Sequence, residues 1–205
     1  KNSLIIAVFG LIIGIVLGSV VAAIKVAGAR NRVAKIISYV GDVYTSIFRG
    51  TPIVVQLMIF YFIVFNGVPM SDLMKVVIVF GLNSGAYVAE IMRGGILSVD
   101  AGQMEAGRTL GLSYTATMIK IVIPQAVKNV IPTLGNELIA LTKDTSVAGY
   151  VATMDLNAAF SAIAGATYDV IIPYLMLALI YFLIVLLLTF LIRFVERRMR
   201  KSERR

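Results

Sequence analysis

Residues 104–124 read MEAGRTLGLSYTATMIKIVIP. This is the longest polar interruption that still reads as ordered structure, and strongly apolar segments flank it. Its helix formers and its glycines one turn apart predict a short helix over residues 102–110. Gly111 fits the position just past a helix end, where the left-handed conformation costs least without a Cβ. Ser113 can then cap the next helix. Gly107 and Gly111 fall on one face, where the missing side chains let another surface approach the backbone. Glu105 and Arg108, at i and i+3, can pair with each other or with that surface. The segment therefore reads as a docking element. The plainer reading is a loop between two membrane helices that has no partner.

The flanks define the class. The chain has 205 residues, 59% of them hydrophobic, and a mean hydropathy of +0.91. Both figures exceed ordinary globular usage, and several apolar runs approach bilayer-crossing length. The expectation is a polytopic all-α membrane protein, a single transmembrane domain over residues 1–205, with a docking loop at about 94–120. There is no room for an appended soluble domain of normal size. The net charge of +8 does not point to nucleic acid, because the basic residues cluster beside apolar spans, as an orientation signal would. The absence of Cys and His removes thiol chemistry, disulfides and the commonest metal ligand. The chain starts at Lys1 without Met, so its N-terminus reads as trimmed. Its first apolar run is too long for a cleavable signal core.

Taken in order, residues 4–24 form the first span, with Gly10, Gly14 and Gly18 on one face for close helix packing. Lys25, Arg30, Arg32 and Lys35 follow and predict a cytoplasmic segment, which places the N-terminus outside. Residues 36–48 read as a mildly amphipathic helix that stops at Arg49-Gly50-Thr51-Pro52, with Pro52 opening the next helix. Residues 53–65 are short for a span, so the preceding helix is expected to contribute to the crossing. Asn66-Gly67-Val68-Pro69 reads as an outer turn. Residues 73–91 return inward. Within them Glu90 and Arg93 are placed to neutralise each other. Residues 121–141 are expected to be broken by Pro124 and Pro132. Their many polar residues suit a cavity wall better than a lipid face. Residues 142–168 read as a bent or re-entrant helix pair, and residues 170–192 as the last span. The basic run over residues 193–205 places the C-terminus in the cytoplasm, giving five crossings.

Chemistry on this chain reduces to intramembrane polarity. No phosphate-cradling G-x-x-x-x-G-K-[ST] sequence occurs, so an ATP-driven reading needs a separate ATPase. Charges at a bilayer centre cost about 2.5–3.5 kcal/mol on insertion scales and usually face the protein interior or a pathway. Glu137 and Asp155 lack a local basic partner and are the candidates for gripping a cationic group of a substrate. Asn83 and Ser84 can add neutral hydrogen bonds. Ser19 is the polar exception of the first span, either bonding back to its own helix or reaching a ligand. The alternatives are that Glu137 braces a proline-broken helix and that Asp155 starts a helix.

Glu105-Ala106-Gly107, three residues, Gly111, nine residues and then Ile121-Val122-Ile123-Pro124 resemble the EAA loop of ABC importer membrane subunits. Gly107 and Ile123 depart from its usual Ala and Leu. Phe48-Arg49-Gly50-Thr51-Pro52, Ala86-Tyr87-Val88-Ala89-Glu90-Ile91, Arg93-Gly94, Leu134-Gly135-Asn136-Glu137 and Lys143-Asp144-Thr145-Ser146 extend the resemblance to nearly the whole chain. They resemble the histidine/arginine/glutamine-type permeases. The resemblance implies a type I importer fold in the cell membrane, with no enzymatic activity and no cofactor on this chain. ATP and Mg would sit on a partner ATPase docked at Glu105, Ala106, Gly107, Arg108, Leu110 and Gly111. A second permease subunit, identical or a sister chain, and an extracytoplasmic amino-acid-binding protein would complete the assembly. Basic amino acids are the expected cargo, with glutamine, glutamate or cystine as the alternative. An ion-coupled secondary transporter is the rival from another class.

Overall fold

The computed structural model describes residues 1–27 and 32–201. Arg30 of the basic segment and Arg204 and Arg205 of the basic tail lie outside these residues. The described chain is helical in every regular element: α1 (Asn2–Ala27), α2 (Arg32–Gly50), α3 (Ile53–Ile59), α4 (Asp72–Leu97), α5 (Ala101–Thr109), α6 (Tyr114–Thr117), α7 (Ile123–Asp144), α8 (Leu156–Thr167) and α9 (Ile171–Lys201). Widened π turns extend α3 over Phe60–Val64 and join α6 to α7 over Met118–Val122. A 3₁₀ turn over Thr145–Val151 follows α7.

Three stretches are long and apolar enough to cross a membrane: Asn2–Val26, Asp72–Leu97 and Ile171–Arg198. Two bent pairs bring the possible crossings to five. One joins α2 to α3 with a bend of 107°, and the other joins the α6–α7 segment to α8 with a bend of 54°. The second span is therefore no straight continuation of the helix before it. The chain turns sharply at Arg49-Gly50-Thr51-Pro52, where Pro52 adopts extended geometry ahead of α3.

The α1–α4 pair is the spine, and its closeness comes from small residues on both helices. A Cβ built on Gly14 would lie 2.6 Å from Ser84 Oγ, and one on Gly18 would lie 2.7 Å from Val88 Cβ. Reciprocally, a Cβ on Gly81 would meet Ile13 Cγ2 at 2.5 Å. Removing side chains lets the backbones approach, which is how helices associate where lipid supplies no hydrophobic drive. The core around this pair contains Ile6, Ala7, Leu57, Val76, Val79, Phe80, Leu141, Ala148 and Val151. α7 packs on α4 and carries α9 on its far side, where Gly135 leaves room for Ile192.

Two sequence expectations change here. α7 is not broken at Pro132, which sits inside a continuous 22-residue helix. Pro124 falls in the first turn of α7, where the missing N–H is tolerated. The irregularity lies in the π turn just before it, a wide turn that absorbs a register mismatch without ending the helix. The other change concerns Lys25. It reads in the sequence as an orientation charge, but its side chain is only 9% exposed. Its ammonium bonds Asp42 Oδ1 of α2 at 2.8 Å, Thr45 Oγ1 at 3.2 Å, and Glu90 of α4. Arg93 takes the other Glu90 oxygen at 2.9 and 3.0 Å. The Glu90–Arg93 pair expected from spacing is present, and Lys25 completes it into a charge-balanced cluster joining three helices.

Candidate functional site

The α5 helix forms as its sequence dictates. Asp100 caps its start by accepting from Gly102 N at 2.6 Å. Gly111 ends it at φ +87°, with Leu112 N returning to Gly107 O at 3.1 Å. Ser113 then caps α6 through Ala116 N. The helix sits on the protein's own surface through its one buried residue, with Gln125 Nε2 donating to Gln103 Oε1 at 3.4 Å beside it. Gly107 is buried, and a Cβ there would meet Thr117 Cγ2 at 2.5 Å and Ile121 Cδ1 at 3.2 Å. Gly107 therefore seats α5 on its own chain and offers no free backbone to a partner. A Cβ on Gly111 meets nothing within 4 Å, so that glycine serves backbone conformation. These two findings correct the expectation of a shared glycine docking face.

The outward side of α5 carries other chemistry. Glu105, Ala106, Arg108 and Leu110 are exposed, with Leu110 at 83%. Glu105 and Arg108 form no ion pair with each other or with any other described residue. An apolar tip beside an unpaired carboxylate and an unpaired guanidinium is a surface suited to a complementary groove. Asn129 braces the base of this unit by donating to Ser98 Oγ at 3.0 Å.

The five polar candidates inside the bundle do not gather into one site. Ser84 and Glu137 do meet: the fully buried Ser84 hydroxyl donates to Glu137 Oε1 at 3.0 Å across α4 and α7. No described cation pairs with Glu137, and the like charge that bears on it is Asp144, further along the same helix. Asn83 turns the other way and donates to Gln56 Oε1 at 2.9 Å. Asp155 is 3% exposed and caps α8, accepting from Ala158 N at 2.8 Å and Asn157 N at 3.1 Å. That is the helix-start role left open from sequence, and it uses both carboxylate oxygens. Ser19 lines a separate apolar cavity of about 380 Å³, with Ala22, Met92, Tyr114, Met118 and Val127 among the other walls. Sequence reasoning missed Gln56 and Lys25. The signal for Gln56 was a lone polar side chain four residues after Pro52 in an apolar helix.

These features define a multi-pass helical membrane protein with an exposed surface helix and a carboxylate held between α4 and α7. Residues 10–201 match the family described as binding-protein-dependent transport system inner membrane component. A Rickettsia bellii protein named as a glutamine transport system permease, GlnP, is 39% identical over 201 residues, covering 97% of this chain and 88% of its own. The arginine transport system permease protein ArtQ of Bacillus subtilis is 38% identical over 200 residues, covering 97% and 89%. The crystal structure of an amino acid ABC transporter with histidines superposes with a TM-score of 0.87 at 36% identity, covering 96% and 90%. The chain belongs to the inner-membrane components of binding-protein-dependent transport systems, as a permease subunit of the amino acid ABC importers.

Proposed function

We propose that this permease moves polar, basic amino acids inward across the cell membrane, driven by a separate ATPase subunit that binds ATP and Mg and docks on α5. Two permease chains line the pathway, and an extracytoplasmic binding protein delivers the cargo. The observation that carries the reading is the outer face of α5, where exposed Leu110 stands beside unpaired Glu105 and Arg108. ATP closes the ATPase pair, α5 moves with it, and the bundle changes the side to which it opens. The coupling is a free-energy link between two sites. Glu137 supports a cationic cargo group, because its carboxylate has a hydroxyl partner and no counter-charge among the described residues. An α-ammonium alone would also satisfy it, so the carboxylate fits glutamine or cystine as well as arginine.

The test is purification in mild detergent with identification of co-purifying chains, then uptake into proteoliposomes. A co-purifying ATPase and ATP-dependent uptake of labelled arginine, outcompeting glutamine and cystine, is the expected result. Uptake abolished by an ionophore with ATP still present would overturn the ATP-driven reading. Preferred uptake of glutamine or cystine would overturn the basic cargo alone.

A further inference from the structure

The sharpest polar arrangement in the molecule lies where α2 gives way to α3. A helix end leaves carbonyls without intrahelical donors, and in a membrane no water replaces them. Here side chains do so. The Gln56 amide nitrogen lies 2.8 Å from Phe48 O, 3.0 Å from Thr51 O and 2.7 Å from Thr51 Oγ1. Its carbonyl oxygen accepts from Asn83 Nδ2 at 2.9 Å, and the same Asn83 nitrogen reaches Phe48 O at 3.3 Å. Gln56 and Asn83 are each 5% exposed. One carboxamide from α3 and one from α4 therefore meet at Phe48 O in the last turn of α2, at a 107° bend.

Asn83 also has a neighbour of consequence. Ser84, the next residue on α4 and about 100° further round the helix, bonds Glu137. A single turn of α4 thus touches both the bend and the candidate substrate carboxylate. We propose that Gln56 and Asn83 are positioning residues for transport: they pin the α2–α3 bend and set α4 so that Ser84 holds Glu137. The link to Glu137 rests on the function proposed above, whereas the pin itself does not. The assignment removes Asn83 from the substrate contacts and gives it to the hinge.

Because the chain has no cysteine, nitroxide labels placed through Ile47→Cys and Phe62→Cys report the bend in complexes where one permease chain alone is labelled and the other subunits are made cysteine-free. Both positions are exposed. The full complex in nanodiscs should give one narrow label-to-label distance. Gln56→Met keeps the length and loses the hydrogen bonds, and should broaden that distance. Thr51→Val, a milder change that keeps the fold, should broaden it less. Uptake turnover by Gln56→Met should fall about tenfold, the size expected when buried hydrogen bonds are left unmade. ATP hydrolysis should persist, and so become uncoupled from uptake. A distribution as narrow as wild type in Gln56→Met overturns the pin. A broadened distribution with normal uptake overturns the positioning role. Failure of the Glu137 reading appears separately, as normal uptake by Glu137→Gln, and leaves the distance measurement standing.

Discussion

At the scale of single residues, the buried charges separate into two kinds. Lys25 is satisfied three times over, by Asp42, Thr45 and Glu90. Removing Lys25 leaves Glu90 with Arg93 and leaves Asp42 half-exposed, so the loss is that of charge-assisted hydrogen bonds, about 1.5–3 kcal/mol. Lys25→Met should therefore lower the unfolding midpoint of the detergent-solubilised protein markedly, while Lys25→Arg keeps most of it; circular dichroism on heating reads both. Glu137 is the opposite case, with one hydroxyl donor and no cation among the described residues. On the function proposed above, this carboxylate meets cargo. Glu137→Gln should leave folding intact and cut uptake about 10- to 100-fold, the range set by losing a charge-assisted hydrogen bond. A half-saturation constant and a maximal rate both equal to wild type would remove Glu137 from the pathway. Neither residue's partner is visible in the sequence. Lys25 and Glu90 are 65 positions apart, and Ser84 and Glu137 are 53 apart. A reading of spacing sees only i+3 and i+4 neighbours, so it found Arg93 for Glu90 and missed Lys25.

At the scale of elements, what the sequence made legible was local grammar. The Gly10, Gly14, Gly18 stripe, the α5 helix, the left-handed Gly111 and the Ser113 cap are all encoded within one or two turns. Pro132 was misleading because a proline in a membrane helix can be held by its neighbours. Gly107 was misread because sequence does not say which way a bare face points. Two substitutions separate the roles of the α5 glycines. Gly107→Val drives methyls into Thr117 and Ile121, which a Cβ alone already crowds. It should lift α5 off its seat and uncouple ATP hydrolysis from uptake. Gly111→Ala meets no atom and strains only the backbone, at a cost of about 1 kcal/mol. It should transport at a rate within a few-fold of wild type, a ratio about that energy allows. If Gly107→Val stays coupled in a hydrolysis-and-uptake assay, the seating role assigned to Gly107 is wrong.

At the scale of the whole molecule, the fold's asymmetry is between a packed spine and an open flank. The α4 span is 61% buried within the chain, whereas the α9 span is 6% buried. α9 therefore meets lipid or another subunit along most of its length, as a chain built to sit in a membrane assembly requires. Charge placement decides how that assembly is oriented. Lys and Arg concentrate beside α5 and in the last turns of α9, and basic residues collect on the cytoplasmic side. Lys25 adds nothing to that bias, since its charge is neutralised inside the bundle. The remaining basic residues predict that α5 and the end of α9 face inward and that the Asn66-Gly67 turn faces outward. Single cysteines at Asn66, Arg108 and Arg197 in this cysteine-free chain make the point testable in intact cells. A membrane-impermeant maleimide should label the Asn66→Cys variant and spare Arg108→Cys and Arg197→Cys until the membrane is opened. Labelling of Arg108→Cys from outside would put α5 on the side away from ATP, and no ATPase in the cell could then reach it.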